Sequence, residues 1–280
     1  MDTGVAAKWE SMLSNQDEPK YLRNVVRYGY SQFLESLQSP TPQLIKELAE
    51  SIYSGDILVL EGALSEGDIQ HIRNKVVEFG NSVPAERHPI LDGCPNYHAI
   101  NDPSQAPPGG YVELDHSYYF FRWNGDDFGL FDLLDNCWSA SKVLGGLEPD
   151  QYVRNLPRDN FVDRMQVIRY PPGGGRLSTH KDPTASIKVN IGVYLTSFGE
   201  QYKQGGFYVL DSDGKRRILD PEIKAGDILL WYPTVAHGVE PVDPDLPLDW
   251  AANDGRWFIS LVSVESNHVK DRHPAVPVDG

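Results

Sequence analysis

Hydrophobic positions in the first half of the chain recur at helical spacing. Thr41 can cap a helix that begins at Pro42. Ser65 can cap a second helix, and Asp68, three residues later, can complete a capping box. Residues 127–146 show a third amphipathic pattern. The pattern therefore predicts helices in the N-terminal half of the chain.

Extended segments lie between these helices. Residues 56–62, DILVLEG, and residues 111–123, YVELDHSYYFFRW, read as strands. Residues 81–110 are rich in proline and glycine and are predicted to form a long loop. Such a loop in a compact domain is more often functional than idle.

From residue 161 onward the pattern changes to a period of two. Short apolar stretches alternate with Gly, Pro and Asp turns, which predicts a mainly β fold with some α: a double-stranded β-helix, or jelly roll, with the helices packed outside it. We expect one domain over residues 1–280, with a helical and loop portion at 1–160, the core at 161–264 and a tail at 265–280. The predicted core strands are FVDRMQVIRY, SIKVNIGVYL, GFYVL, RRIL, DILLWY and RWFISLVSV.

Charge narrows the classes of partner. The 280-residue chain has 40 acidic and 25 basic side chains, a formal net charge of −15, and no basic cluster in its sequence. That field repels nucleic acid and anionic membrane surfaces. We therefore expect a small molecule, or a neutral or cationic partner, and neither a nucleic acid nor a membrane. The oligomeric state is left open.

Cysteine usage indicates the compartment. Cys94 and Cys137 are the only cysteines, so no disulfide framework holds the fold. The first twenty residues lack an apolar signal core, and no stretch is long enough to span a bilayer. A cytoplasmic protein with reduced thiols is expected.

The segment RYPPGGGRLSTHKDPT, residues 169–184, raises a choice between a phosphate cradle and a metal site. A phosphate cradle needs its glycines to lead into a helix, where free N–H groups face the anion. Here Pro183 and an alternating strand follow instead. The phosphate interpretation is therefore rejected.

His180 and Asp182 lie two residues apart, so on an extended segment both side chains project from one face. His237 follows the apolar strand at 228–232 and is the best candidate for a third ligand. Two histidines and a carboxylate with open positions form the facial triad of non-haem Fe(II) oxygenases. We interpret the remaining histidines as surface or structural residues: His71, His88, His98, His116, His268 and His273.

The segment SIKVNIGVYL places apolar residues on one face and polar residues on the other. A polar face on a central strand is unfavourable unless it lines a wet cavity. Asn190 and Tyr194 are therefore predicted to line a wet pocket that could hold a cosubstrate. The alternative is a solvated outer face, which antiparallel sheets often show.

Taken in order, several segments between residues 161 and 264 resemble the Fe(II)/2-oxoglutarate-dependent oxygenases. RYPPGGGRLSTHKD resembles the prolyl-hydroxylase pattern, in which Tyr-Pro-Gly leads into His-x-Asp. VYLTS, QGGFYVLD and AGDILLWYPTVAHGVEPV resemble the following strands and the distal histidine, and GRWFISLV resembles the arginine-bearing strand. The ordered set is far more specific than any one motif.

This resemblance implies the cofactors. Fe(II) would be held by His180, Asp182 and His237, which are thereby the catalytic residues, with 2-oxoglutarate as cosubstrate and O₂ as oxidant. The implied reaction oxidises an unactivated C–H bond of a small metabolite or amino-acid-like substrate, most simply by hydroxylation, with release of succinate and CO₂. Desaturation and ring closure stay open.

The resemblance also implies which residues hold 2-oxoglutarate. Tyr170, Tyr194 and Arg256 match those positions, and the arginine would pair with the distal carboxylate. Arg256 lies farther after the distal histidine than in most relatives, because residues 243–255 look like a loop insertion, which a hairpin tolerates. Lys188 is the next candidate should the insertion displace Arg256.

Rival functions remain to be weighed. Halogenases of this superfamily lack the carboxylate that Asp182 supplies, and no His-Glu-x-x-His helix indicates a zinc hydrolase. A peptidyl hydroxylase and a cupin-like metal-binding module stay open. Substrate contacts are expected in residues 81–125 and 243–255. Candidate contacts in the first of these segments are Tyr118, Arg122 and Trp123.

Overall fold

The computed structural model describes residues 4–14, 18–19, 21–38, 40–105 and 112–278. No helix within these ranges is both long and apolar enough to cross a membrane. The α-helices are α1 (Val5–Leu13), α2 (Tyr30–Gln38), α3 (Pro42–Tyr53), α4 (Glu66–Ser82) and α5 (Leu130–Leu144). The strands are β1 (Val25–Gly29), β2 (Ile57–Glu61), β3 (Tyr97–Asn101), β4 (Glu113–Phe121), β5 (Phe161–Tyr170), β6 (Gly175–Lys181), β7 (Asn190–Tyr194), β8 (Gly206–Leu210), β9 (Arg216–Ile218), β10 (Ile228–Trp231), β11 (His237–Val242), β12 (Arg256–Glu265) and β13 (Val276–Pro277).

The strands form two layers that share β4. The larger layer has the order β1-β2-β10-β7-β12-β5-β4, with β3 on the other edge of β4. The smaller layer runs β4-β6-β11-β8-β9, with β13 beside β6. Every pairing is antiparallel except that of β1 with β2. This is the predicted jelly-roll core, with strands that alternate between layers as the chain advances.

The helices cover the outer face of the larger layer. Helix α3 contacts β10 and helix α5 contacts β7. Ile45, Ile52 and Trp138 are at most 1% exposed and belong to the same apolar cluster as Val193 and Leu229. Each such side chain contributes about 1.5–3 kcal/mol through burial. The predicted arrangement of helices outside the sheet is confirmed.

The helix caps also match the sequence. The Thr41 hydroxyl accepts a hydrogen bond from Leu44 N–H at 3.1 Å. Ser65 and Asp68 form the reciprocal capping box, satisfying two backbone donors that the helix leaves unpaired. These local signals were sufficient because the partners lie within one turn.

Seven helices and strands of the structure are absent from the predicted set, namely α1, α2, β1, β3, β6, β11 and β13. Helix α2 buries only Phe33, and β1 is an edge strand with no fully buried residue, so both have weak periodicity. Helix α1 was also not predicted, and β3 lies inside the segment predicted as a long loop. The end of that loop at 106–110, and Tyr111 at the start of the next predicted strand, lie outside the described residues.

Candidate metal centre

Strands β6 and β11 bring the two histidines together. They are antiparallel neighbours, and His237 lies directly opposite His180 in their register. Asp182 follows the end of β6, where its backbone N–H donates to the Pro233 carbonyl at 3.0 Å. One ligand atom from each of the three side chains lies within 4.8 Å of the others. The predicted convergence of His180, Asp182 and His237 is therefore confirmed.

Backbone carbonyls fix the orientation of both imidazoles. His180 Nδ1 lies 3.0 Å from the Ser178 carbonyl, and His237 Nδ1 lies 2.8 Å from the Val235 carbonyl. Because a carbonyl only accepts, each Nδ1 must carry the hydrogen. In the neutral ring the Nε2 lone pair is then available to a metal. The two Nε2 atoms lie 3.6 and 3.4 Å from the carboxylate oxygens of Asp182.

The charge states suit a divalent cation. Burial, assisted by the neighbouring His237, lowers the pKa of His180 to about 4. Burial alone would raise the pKa of Asp182, but the two imidazoles and a hydrogen bond from Asn190 bring it down to about 2. At neutral pH the site therefore offers a neutral imidazole and an anionic carboxylate, the protonation states that ligation requires.

An internal cavity of about 130 Å³ adjoins these three side chains, and Tyr170, Trp231, Phe258 and Arg256 also line it. The indole N–H of Trp231 is buried and has no hydrogen-bond partner among the described residues. An unpaired buried donor is unfavourable by about 1–3 kcal/mol unless a ligand satisfies it. The cavity thus combines metal ligands, a guanidinium and an unsatisfied N–H.

Comparisons with known proteins place the fold. No family model matches the chain, and no curated protein does. Among solved structures, a full-length Neurospora crassa protein in complex with α-ketoglutarate superposes with a TM-score of 0.52 at 14% identity, over 90% of each chain. The match to a Caulobacter crescentus protein described as a putative 2OG-Fe(II) oxygenase has a TM-score of 0.49 at 14% identity, over 87% of each chain. A Pseudomonas putida prolyl-4-hydroxylase matches at 0.48 and 14% identity, over 80% of this chain and 100% of that one.

The chain shares the fold of the Neurospora crassa protein that was solved with α-ketoglutarate. At such low identity the likeness carries the fold alone. The residues that could hold a metal or a cosubstrate must be judged from their own contacts.

Arg256, the predicted cosubstrate clamp, is already paired. Its Nε donates to Asp220 Oδ2 at 2.6 Å and its Nη2 to Oδ1 at 3.3 Å. The hydroxyls of Tyr194 and Tyr202 donate to the same carboxylate at 2.6 and 2.5 Å. Arg256 and Asp220 are 1% and 0% exposed. Burial alone would lower the pKa of Arg256, but the Asp220 charge holds it well above the ordinary value.

The sequence analysis did not identify Asp220. It stands before Pro221 in ILDPE, where it reads as an ordinary turn residue. One indirect signal is Gly206, at φ +112°, where an added Cβ would clash with Asp220 Oδ2. That glycine indicates a close approach of two segments, but nothing local indicates which residue approaches.

The other predicted cosubstrate residues divide into two groups. Tyr170 lines the cavity and lies opposite Arg256 in the β5–β12 register. Tyr194 is not among the lining residues, because its hydroxyl is directed to Asp220. Asn190 Nδ2 donates to Asp182 Oδ2 at 2.6 Å, so its amide positions the metal carboxylate. The Lys188 ammonium donates to the Thr184 carbonyl.

Both faces of β7 are buried, so the alternative of a solvated outer face is wrong. The insertion at 243–255 connects β11 to β12 and leaves Arg256 in register with Tyr170. This loop packs on Gly173, and none of its residues lines the cavity.

The candidate substrate contacts of the sequence analysis have structural partners. Arg122 forms an ion pair with Asp135 at 2.5 Å, and Trp123 Nε1 donates to the Cys94 carbonyl at 2.8 Å. Tyr118 is 4% exposed and belongs to the main apolar cluster. None of the three lines the cavity.

Proposed function

We propose that this protein is an Fe(II)- and 2-oxoglutarate-dependent dioxygenase that oxidises an unactivated C–H bond of a small molecule, most simply by hydroxylation. One observation carries the proposal. Two histidines with fixed Nδ1–H tautomers and one ionised carboxylate converge on a cavity that also contains a buried arginine.

The donor set fits Fe(II). His180, Asp182 and His237 would hold the metal on one face and leave its other positions for 2-oxoglutarate and O₂. The bound iron would supply the activation of O₂. Of the two electron pairs that reduce O₂, one would come from 2-oxoglutarate and the other from the substrate. Asn190 keeps the Asp182 carboxylate in place throughout.

The cavity also fits a dicarboxylate. Asp220 engages Arg256 through Nε and Nη2, whereas a guanidinium has five N–H donors, so its terminal edge can bind a second carboxylate. Tyr194 and Tyr202 disperse the charge of Asp220 by donating to it. The unpaired indole N–H of Trp231 supplies a further donor for a bound oxygen atom.

Apolar side chains in the cavity wall exclude water. Phe207, Val239 and Phe258 are each less than 8% exposed and line the same space as the metal ligands. Exclusion of water strengthens the electrostatic interactions within the site and protects reactive intermediates. The chain itself therefore supplies positioning, fixed ligands and a partly apolar cavity wall.

The direct test is the decarboxylation of 2-oxoglutarate without added substrate. We expect slow succinate formation that requires both Fe(II) and O₂ and is absent with Zn(II) or under argon. His237→Ala should abolish it, whereas replacement of the exposed His273 by Ala should not. Failure of the metal-loaded wild-type protein to form succinate under any of these conditions would refute the proposal.

A metal-binding module without a cosubstrate is the second candidate. The observation that favours it is the pairing of Arg256 with Asp220, since the ion pair as a whole has no net charge to attract a dicarboxylate. The two functions differ in one measurement. With Zn(II) bound, 2-oxoglutarate should raise the melting temperature of an oxygenase and leave that of a metal-only module unchanged.

We further propose one domain over residues 1–280 and a cytoplasmic location. In support of the first, the strands from β1 to β13 belong to one connected network. In support of the second, Cys94 and Cys137 are both free and buried.

A further inference from the structure

A second, larger space adjoins the metal centre. This outer cleft has a volume of about 610 Å³. Arg164, Asp182 and Val262 line both the outer cleft and the internal cavity. A molecule in the outer cleft therefore lies beside the metal carboxylate, where a substrate would have to be.

The charge of the outer cleft is opposite to that of the whole protein. Although the chain has a net charge of −15, the carboxylates in the cleft wall, among the residues that the structure describes, are only Asp182 and Glu265. Four cationic side chains line the same wall: Arg87, Arg164, Lys270 and Arg272. The cleft concentrates positive charge that the composition conceals.

The carboxylates near the cleft are already engaged. Glu265 accepts hydrogen bonds from the backbone and ring of His273 at 2.6 and 3.0 Å, and Asp182 belongs to the metal centre. Glu113 pairs with Arg87 at 3.0 Å. Within the described part of the chain, the other three cations of the cleft have no carboxylate within 4 Å.

Arg164 stands where the two spaces meet. It lies on β5, its Nη2 donates to Gln166 Oε1 at 2.9 Å, and its guanidinium lies 5.4 Å from the Tyr119 ring centre. Its Nε is buried and has no partner among the described residues. An arginine held by a neutral amide and an aromatic ring, with an unsatisfied N–H, has the donors that bind a planar or tetrahedral oxyanion.

We propose that the substrate carries an oxyanion group, a carboxylate or a phosphate, that binds Arg164 in the outer cleft with Lys270 and Arg272 near it. This inference rests on the proposed function, since it names the substrate class of the same site. It is consistent with the small molecule that net charge led us to expect, and it departs from the alternative of a neutral or cationic partner.

Asp115 is a buried carboxyl that lines the internal cavity together with Arg164 and Glu113. Burial raises its pKa to about 8, and the nearby Glu113 acts in the same direction. Asn101 and Ser117 both donate to its Oδ1, at 2.9 and 2.6 Å, which leaves Oδ2 for the proton. The raised pKa favours the neutral form of Asp115, which reduces the negative charge in the cavity that Arg164 lines.

Four ligands that share a benzyl group and differ in charge can test this. Phenylacetate and benzyl phosphate are anionic, phenylacetamide is neutral, and phenethylamine is cationic. Saturation-transfer NMR on the Zn(II)-loaded protein would rank their affinities. We expect one or both anions to bind at least about tenfold more tightly than the amide. The tighter of the two identifies the oxyanion.

Three variants locate the binding. Arg164→Gln keeps hydrogen-bonding capacity but removes the charge and should abolish the preference for the anion, whereas Arg164→Lys should keep part of it. Arg158→Gln removes an exposed arginine that does not line either space and should leave the preference intact. Circular dichroism and Zn(II) content would confirm that each variant is folded and loaded.

The outcomes separate this inference from the function beneath it. If the protein forms succinate with Fe(II), 2-oxoglutarate and O₂ but binds the amide as well as the acid, or binds the amine best, the oxyanion proposal is wrong and the enzyme is not. Equal anion preference in wild type and Arg164→Gln would also overturn it. Absence of succinate, by contrast, refutes the proposed function whatever the ligands do.

Discussion

Two buried aspartates near the cavity differ in their hydrogen-bond partners. Asp220 marks the Arg256 end of the cavity, and Asp115 marks the Arg164 end. Asp220 pairs with Arg256 at 2.6 Å and is wholly buried. Asp115 is 2% exposed, accepts only from neutral groups, and has its pKa raised to about 8 by burial. Arg164 lies six residues before Tyr170, the partner of Arg256, and thus about 20 Å along the strand.

The comparison shows how one cavity can hold two arginines for different tasks. At the Arg256 end the fold supplies the counter-ion, so this guanidinium is fixed before any ligand arrives. At the Arg164 end the pKa of Asp115 is raised instead, because burial and the neighbouring Glu113 outweigh the hydrogen bonds from Ser117 and Asn101 and the charge of Arg87. In the proposal above, Arg164 binds the oxyanion of the substrate.

The largest effect on stability should come from breaking the Asp220–Arg256 ion pair. Asp220→Asn leaves Arg256 buried without its counter-ion and should lower the free energy of unfolding by about 3–5 kcal/mol. Urea denaturation measures this. Asp213→Asn, at an exposed turn, should change it by less than about 0.5 kcal/mol. Equal stability of Asp220→Asn and wild type would mean that the ion pair does not hold this end together.

The same variant sharpens the cosubstrate argument. Once Arg256 lacks its internal counter-ion, a bound dicarboxylate can replace it. We therefore expect 2-oxoglutarate, added with Zn(II), to raise the melting temperature of Asp220→Asn more than that of wild type. A smaller rise in the variant would show that Arg256 does not contact the cosubstrate.

At the Arg164 end of the cavity, substitution of the aspartate is expected to raise stability rather than to lower it. The pKa of Asp115 is raised on folding, so between about pH 4 and pH 8 the folded state holds a proton that the unfolded state has lost, and stability falls as pH rises. Asp115→Asn should remove this loss and stabilise the fold by about 1–3 kcal/mol at pH 8. Unfolding curves at several pH values would check it. Destabilisation at pH 8 would show that the carboxylate is ionised and paired.

How far the sequence could predict this site depends on the distance between partners. His180 and Asp182 are two residues apart, and strand alternation alone places them on one face. His237 was reachable because its position after an apolar strand matched the family pattern. The Asp220–Arg256 pair joins two segments whose local sequence does not indicate that they meet, so the pair is evident only in the folded structure.

The positive charge of the outer cleft could not be predicted from the sequence, for a related reason. Arg87, Arg164, Lys270 and Arg272 are scattered along the sequence and are outnumbered by acidic residues elsewhere. Net charge is a sum over the whole chain, so it does not show which charged side chains line the same cleft. The expectation of a small molecule, or of a neutral or cationic partner, rested on the charge of the whole chain and not on that of the cleft.

A smaller effect should follow from changing the geometry of the Arg256 side chain. Arg256→Lys keeps the charge but loses the planar fork, so the concentration of 2-oxoglutarate needed for half-maximal succinate formation should rise about tenfold. Arg158→Lys is the matched control and should leave that concentration unchanged. If both variants behave like wild type, the clamp lies elsewhere in the cavity.

The account is tested most directly by an anaerobic titration of the Fe(II)-loaded protein with 2-oxoglutarate. Chelation of Fe(II) by the keto acid gives a weak visible absorption, which we expect to saturate at one 2-oxoglutarate per chain. The band should be absent in His237→Ala. Iron bound at one equivalent with no such band at any 2-oxoglutarate concentration would contradict the account and leave a metal-binding module in its place.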